Sequence, residues 1–219
     1  MITNYDEIEK LFKEIDKVAE KKINLFVIGG AVLLQQDLKD GTKDIDLVVD
    51  TKGDFMEFQK ALENLEFKPQ IPGKEYGHMN LNQIFQKGDF RVDLFYKEVC
   101  GKFSLTEDMM QRANTILYLE KLNVAHCSNE DIFLFKTMTE RDGDLEDCIR
   151  LGVPGINWEI IIKELQNQIK HSNQDLWITW VGERLDILED KGLVIPVMND
   201  FDKLRNKYFE DLEKRQSQD

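Results

Sequence analysis

Hydrophobic and polar positions follow two kinds of repeat along the chain, and each kind predicts a different element. Apolar residues recur every three to four positions over residues 5–21, and short apolar runs follow at residues 24–28 and 44–49. The longer period is typical of an amphipathic helix, whereas a short apolar run bounded by turn residues indicates a buried strand. The first fifty residues therefore predict a helix, a strand, a short helix over 31–38 and a second strand.

The rest of the chain continues this alternation and then becomes helical. Further strands are predicted at residues 78–86, 90–96 and 117–124. Further helices are predicted at residues 54–63, 107–112, 130–139, 145–151, 158–169, 174–189 and 202–214. This order predicts an α/β fold, a small mixed sheet of about four or five strands flanked by helices, with a helical C-terminal region. The break at residues 152–155 places the predicted domain limits at 1–152 and 153–219.

Composition narrows the class of protein. No apolar run approaches the ~20 residues that a membrane span requires, and the acidic, polar first residues lack the layout of a signal peptide. We therefore expect a cytoplasmic protein without a membrane segment. The cysteines are widely spaced and form no Cys-x-x-Cys pair, which favours reduced thiols over a disulfide framework or a zinc site; they are Cys100, Cys127 and Cys148.

The net charge of −13 limits the partners of the chain. Phosphate groups are repelled by so acidic a surface, so the chain is a poor non-specific binder of nucleic acid. A nucleic-acid end that docks in a locally basic, metal-loaded cleft remains open.

Two aspartates at the start of the second strand are the first candidates for chemistry. Asp44 and Asp46 stand two positions apart, so their side chains share one face of a strand. The strand is otherwise apolar, and acids in such a place need cations or hydrogen-bond donors. Carboxylates are the oxygen ligands that Mg²⁺ or Mn²⁺ prefers. The alternative is a strand end with two solvated acids.

A metal cluster at Asp44 and Asp46 would need a third carboxylate. Asp93 lies on the predicted strand 90–96 and supplies the third acid, since two cations need more ligands than two side chains provide.

Gly29 and Gly30 follow the first strand and open the next helix. Glycine lets backbone N–H groups approach phosphate at such a turn. Thr42 precedes the acids and is either a further phosphate ligand or a turn residue.

The order of these motifs resembles the nucleotidyltransferase superfamily, which has the polymerase-beta-like fold. The matching residues are Gly29-Gly30, Asp44-Ile45-Asp46 and then Asp93. The wording Thr-Lys-Asp-Ile-Asp looks like the branch of minimal nucleotidyltransferases related to the AbiEii toxins. A second match to that branch is the segment Asp131–Lys136 on the predicted helix 130–139, followed by the segment from Arg141 to Asp147.

The resemblance implies Mg²⁺-dependent transfer of a nucleoside monophosphate from a nucleoside triphosphate to an acceptor hydroxyl, with release of pyrophosphate. The acceptor is left open between an RNA 3′ end, a protein and a small molecule. Asp44, Asp46 and Asp93 would hold the metal, and Gly29, Gly30, Thr42 and Lys136 would bind the triphosphate. The alternative interpretation of Lys136 is an ordinary exposed lysine on a helix. The alternative function is a catalytically silent module of the same fold, such as a toxin–antitoxin partner. Arg141, Asp144 and Asp147 either line the site or pair among themselves.

Overall fold

A computed structural model describes residues 1–70 and 83–217 of the chain. The chain divides into two compact units, Met1–Ser128 and Asn129–Asp219. The first unit contains all the strands of the described residues, and the second is helical. The domain limits that the sequence predicts, 1–152 and 153–219, stay a prediction.

The first unit is built on a mixed sheet of seven strands, in the order β3-β4-β5-β2-β1-β9-β8. Its strands are β1 (Ile23–Ile28), β2 (Ile45–Val49), β3 (Lys68–Gln70), β4 (Gln83–Lys87), β5 (Phe90–Tyr96), β8 (Asn114–Tyr118) and β9 (Leu122–His126). A separate two-stranded sheet joins β6 (Glu98–Val99) to β7 (Phe103–Ser104). Two neighbouring pairs, β1 with β9 and β2 with β5, are parallel, and the other pairs of the large sheet are antiparallel.

Four helices accompany this sheet: α1 (Tyr5–Val18), α2 (Gly30–Gln35), α3 (Lys52–Asn64) and α4 (Glu107–Arg112). Helices α2 and α3 pack against the central strands β1 and β2, and α1 packs against α2, α3 and β9. The sheet and helices bury large aromatic side chains completely, among them Phe12, Phe58, Phe85 and Phe95. This core fixes the two central strands on which the predicted acids lie.

The α/β class with a mixed sheet flanked by helices is confirmed, but the number of strands is higher than predicted. The apolar stretch 117–124, predicted as one strand, is the hairpin of β8 and β9. Its turn, residues 119–121, contains neither glycine nor proline, so the usual turn signal is missing. Strand β3 contains Pro69 and is exposed along its length, which hides it from a hydrophobic pattern. Strand β4 covers the end of the predicted strand 78–86, and residues 78–82 lie outside the described residues.

A carboxylate replaces the missing turn residues in that hairpin. Oδ1 of Asp16, on α1, accepts hydrogen bonds from the backbone N–H groups of Lys121 and Leu122 at 2.7 and 2.8 Å. A carboxylate that accepts two backbone N–H groups stabilises a turn without requiring a positive φ. The hairpin is therefore fixed by a side chain distant in sequence.

The second unit contains the helices α5 (Asn129–Thr137), α6 (Asp142–Gly152), α7 (Trp158–Ser172), α8 (Trp177–Asp190) and α9 (Met198–Gln216). The three predicted C-terminal helices are thus confirmed; α7 and α9 are longer than predicted, whereas α8 begins three residues later. Gly182 of α8 lets α9 approach closely, because a Cβ at this position would lie 2.8 Å from Cδ of Arg205. Within the described residues no helix is both long and apolar enough to cross a membrane. The cytoplasmic location stays a prediction.

His126, the last residue of β9, forms a buried pair with Tyr5 at the start of α1. The Tyr5 hydroxyl lies 2.5 Å from Nε2 of His126, and the two rings meet edge to face with centroids 5.5 Å apart. Burial lowers the pKa of His126 from 6.5 to about 4 and raises the pKa of Tyr5. The hydroxyl therefore donates to an uncharged imidazole.

This pair predicts a loss of stability in mild acid. The unfolded chain binds a proton at His126 below pH 6.5, whereas the folded chain binds it only near pH 4. The free energy of unfolding should therefore be intact above pH 6.5 and fall by about 3 kcal/mol as the pH drops to 4. Urea denaturation across this range measures the slope. His126→Asn should flatten it, while the same change at the exposed His171 should not; an unchanged slope in His126→Asn would refute the assignment.

Candidate active site

Two of the predicted acids meet on neighbouring strands of the large sheet. Strands β2 and β5 run parallel, and Asp46 of β2 is the register partner of Asp93 of β5. Residues in register on adjacent strands point to the same face, and the strands lie ~4.8 Å apart. The two carboxylates therefore belong to one site. Asp93 is 2% exposed, and Asp46 is half-buried.

Asp44 occupies a different position from the other two acids. It lies one residue before the start of β2 and is half-buried. In residues 1–70 and 83–217, no three His, Cys, Asp or Glu side chains stand close enough together to hold a metal ion. The arrangement is thus an in-register pair of acids with a third carboxylate just before the strand, not a closed cluster of three.

The double glycine lies directly against this pair. Gly29 follows the last residue of β1, and Ile28 is the register partner of Asp46 on the other side of β2. Gly29 has a φ of +70°, and a Cβ there would overlap the carboxylate of Asp46. A Cβ at Gly30 would lie 2.6 Å from Oγ1 of Thr42. Both glycines therefore leave room for polar groups of the loop and strand that carry the acids.

Gly29→Ala should destabilise the protein more than alanine at a matched glycine. Gly88 also has a positive φ, +58°, but a Cβ there would meet nothing within 4 Å. Backbone strain at a positive φ costs about 1–3 kcal/mol at either position. Only Gly29→Ala also displaces a carboxylate, which should add at least about 1 kcal/mol to the loss of unfolding free energy. Equal losses in urea denaturation would show that Asp46 is not held against the turn.

Thr42 is buried and supports the loop before the acids. Its hydroxyl donates to the carbonyl oxygen of Asp44 at 3.0 Å. Its backbone N–H and C=O exchange hydrogen bonds of 2.8 Å with Ile2. The side chain therefore has a clear structural contact, and its role toward a triphosphate stays a prediction.

Lys39 is a residue near the glycine turn that sequence reasoning missed. Its ammonium nitrogen lies 3.8 Å from the position of a Cβ at Gly30, close to the Thr42 hydroxyl that approaches the same position. Residues 36–44 connect α2 to β2 without a regular pattern, so the sequence gives no sign that Lys39 lies close to the glycines.

Arg91 is the second missed residue, and it binds Asp93 directly. Nε of Arg91 donates to Oδ1 and a terminal guanidinium nitrogen donates to Oδ2, both at 2.7 Å. The two residues are two positions apart on β5 and share a face. A buried carboxylate needs such a countercharge, because an unpaired charge is costly in the interior. The sequence signal that could have found Arg91 is the alternation of side chains along a strand, which places Arg91 on the same face as Asp93.

The donor set fits a divalent cation. Carboxylate oxygens of Asp46 and Asp93 are hard ligands of the kind that Mg²⁺ and Mn²⁺ select. The guanidinium of Arg91 shows that this position holds a positive charge, and Gly29 leaves the space that the Asp46 carboxylate occupies. Asp46 and Asp93 would hold the ion, with Asp44 as the third ligand that the sequence predicts.

Lys136 lies in the second unit, in a buried cluster of charges. Its ammonium is 2.8 Å from Oδ1 of Asp144 and 2.8 Å from Oδ2 of Asp147. Arg141 and Arg150 reach the same two carboxylates from the more exposed side. Burial opposes the charge of the ammonium, but the carboxylates outweigh it and raise the pKa of Lys136.

This cluster answers one question that the sequence left open. Lys136 is 8% exposed, so the alternative of an ordinary exposed helix lysine is wrong. Asp144 and Asp147 each pair with Lys136, and Arg141 pairs with Asp144. The role of Lys136 in binding a triphosphate stays a prediction.

Comparisons with known proteins place these observations in a family. Residues 6–180 match the model of a family described as nucleotidyltransferase of unknown function (DUF6036). None of the curated proteins compared with the chain matches it.

Two solved structures of one antibiotic-resistance protein were found to be similar to this chain. A solution structure of the antibiotic-resistance factor ANT(2'')-Ia is similar with a TM-score of 0.52 at 12% sequence identity, over 78% of this chain and 94% of that chain. A crystal structure of ANT(2")-Ia in complex with adenylyl-2"-tobramycin has a TM-score of 0.49 at 13% identity, over 76% and 99% of the respective chains. The solution structure confirms the expected fold.

Proposed function

Because the chain belongs to the nucleotidyltransferase family, we propose that it transfers a nucleoside monophosphate from a nucleoside triphosphate to an acceptor hydroxyl. The protein is thus a transferase enzyme. The observation that supports this reaction at a particular site is the register pairing of Asp46 with Asp93, beside the glycine turn. In the reaction the acceptor oxygen attacks the α-phosphorus, the acceptor hydroxyl loses its proton, and the bond to the β-phosphate oxygen breaks to release pyrophosphate.

The acids define where the reacting phosphorus would lie. A Mg²⁺ or Mn²⁺ ion held by Asp46 and Asp93 would neutralise phosphate oxygens and acidify the acceptor hydroxyl, and Asp44 stays the third ligand that the sequence predicts. Asp46 is half-buried, whereas Asp93 is 2% exposed. The different burial of the two carboxylates gives the site an inner and an outer side, and the triphosphate would enter from the outer side.

The phosphates would be bound by the glycine turn and by Lys39. Gly29 and Gly30 bring the turn against the Asp46 carboxylate and the Thr42 hydroxyl, so a phosphate at this turn would lie beside the acids. The ammonium of Lys39 lies near the same turn and supplies the point charge that a triphosphate needs. Lys136, which the sequence predicts for this role, is already balanced by two carboxylates. We assign a phosphate contact to Lys39 because of its position beside the glycine turn.

Lys39→Met should weaken nucleotide binding without abolishing it. Loss of one charge-assisted contact should raise the Kd for a nucleoside triphosphate about tenfold. Lys43→Met is the matched control, because Lys43 carries the same charge in the same loop but is exposed. Its Kd should change less than about twofold. Equilibrium binding of a fluorescent triphosphate with Ca²⁺ in place of Mg²⁺ measures both, and equal effects would contradict a specific contact.

The acceptor is proposed from the charge of the chain. A net charge of −13 repels a polyanion at long range, which favours a protein or small-molecule hydroxyl over an RNA 3′ end. An antitoxin-type partner, the AbiEii-like branch and the cytoplasmic location stay predictions from the sequence.

The experiment that tests the function is a transfer assay with the full chain. Each of the four nucleoside triphosphates, labelled at the α-phosphate, is incubated with Mg²⁺ and with total RNA, cell protein or a small-molecule extract. We expect pyrophosphate release and label in one acceptor class, both lost on removal of the metal. If a triphosphate binds but no combination releases pyrophosphate, the chain is instead the catalytically silent binding module.

A further inference from the structure

The pairing of Arg91 with Asp93 bears on how a metal enters the site. Both oxygens of the Asp93 carboxylate accept hydrogen bonds of 2.7 Å from the guanidinium. This two-point contact is the strongest arrangement of an arginine with a carboxylate. The side chain of Arg91 is 21% exposed and that of Asp93 only 2%, so the arginine is the outer member of the pair.

We propose that Arg91 is an internal competitor of the metal ion. It neutralises Asp93 in the metal-free protein, and it must release at least one oxygen of Asp93 before a divalent cation binds there. The proposal rests on the proposed function, because that function supplies the reason for a cation at Asp46 and Asp93.

Burial decides that the two cations compete. A carboxylate has about four acceptor positions, so an exposed aspartate can hold an arginine and a metal at the same time. The side chain of Asp93 is 2% exposed, so solvent reaches almost none of its remaining positions. The face from which Arg91 approaches is also the face that Asp93 shares with Asp46. A metal bridging these two acids must therefore take the place of the guanidinium.

The competition links metal affinity to the stability of the empty site. Two acids in register on adjacent strands repel each other, and a buried carboxylate such as Asp93 needs a countercharge. Arg91 removes this cost in the metal-free protein. The same contact must be broken on metal binding, so it lowers the affinity for the ion. Arg91 thus lowers the affinity for the metal ion and stabilises the metal-free protein.

The test measures Mn²⁺ binding without nucleotide, by titration calorimetry, together with the Tm of the metal-free protein. Arg91→Met should bind Mn²⁺ with a Kd at least about tenfold lower than wild type, since a charge-assisted pair no longer has to be broken. Its metal-free Tm should be lower than that of wild type. Arg91→Lys keeps the charge but loses the two-point contact of the guanidinium, so its Kd for Mn²⁺ should lie between those of wild type and Arg91→Met. If Arg91→Met does not fold, Arg91→Lys carries the test.

Arg150→Met is the matched control. Arg150 also pairs with a buried aspartate, Asp147, at 3.1 Å, and its loss changes the net charge by the same amount. Its Kd for Mn²⁺ should equal that of wild type. Adding Asp93→Asn to Arg91→Met should remove the gain, because the ligand itself is then lost.

The outcomes separate this inference from the proposed function. An unchanged or higher Kd for Mn²⁺ in folded Arg91→Met and Arg91→Lys overturns the competition, even when wild type transfers nucleotide normally. If neither wild type nor Arg91→Met binds Mn²⁺ and wild type transfers nothing, the proposed function fails and the inference fails with it.

Discussion

Asp46→Asn should lower the rate of nucleotide transfer by at least about 10²–10³-fold and leave the protein as stable as wild type, or more stable. Asp46 is the half-buried acid in register with Asp93. An amide keeps the shape of the side chain but binds a divalent cation weakly, so the charge on the transferred phosphate is no longer balanced. In the metal-free protein the same change removes repulsion between two neighbouring carboxylates.

Asp40→Asn is the matched control for this prediction. Asp40 lies in the loop before β2 and is exposed, so its loss changes the net charge equally at a position outside the pair of acids. Transfer should stay within about twofold of wild type. Asp44→Asn should lose activity as Asp46→Asn does. Full activity in Asp46→Asn, measured as pyrophosphate release at saturating triphosphate, would remove the acids from the reaction.

Lys136→Met should lower the free energy of unfolding by about 3–5 kcal/mol, because it leaves two buried carboxylates without their central countercharge. Asp144 is 5% and Asp147 1% exposed. Burial alone would favour the protonated form of Asp144, but Lys136 outweighs this and lowers its pKa. The cluster is therefore expected to act as a unit, and removing its centre should cost far more than removing a surface lysine.

Urea denaturation of Lys136→Met beside Lys203→Met tests this expectation. Lys203 pairs with Asp200 at 2.8 Å, but both side chains are largely exposed. Such a surface pair contributes about 0–1 kcal/mol. A loss at Lys136 no larger than at Lys203 would show that the buried cluster does not stabilise the fold. If the variant were stable but failed to bind a triphosphate, the role that the sequence predicts for Lys136 would gain support.

The arrangement of the acids could be predicted because it follows from local geometry. Asp46 and Asp93 each stand on an apolar strand, and apolar strands of a mixed sheet lie at its centre, where they become neighbours. The C-terminal helices were equally predictable, because α7 buries one side and exposes the other. In each case the hydrophobic pattern within one strand or helix determines which of its residues are buried.

The missed features depend on contacts that no local pattern reports. In α5 every residue from Asp131 to Thr137 is buried, so no polar face distinguishes Lys136 from its apolar neighbours. Lys39 approaches Gly30 only because the loop turns back in three dimensions. The turn of the β8–β9 hairpin is fixed by Asp16, which is more than a hundred residues away. Charge pairing and loop closure, not hydrophobic periodicity, decide these positions.

The most direct test of the site is anomalous diffraction from crystals grown with Mn²⁺ and a non-hydrolysable nucleoside triphosphate. The account predicts a manganese peak with carboxylate oxygens of Asp46 and Asp93 among its ligands at about 2.0–2.2 Å, with the triphosphate against Gly29 and Gly30. A bound triphosphate with no manganese at these acids, and with Arg91 still holding both oxygens of Asp93, would contradict it.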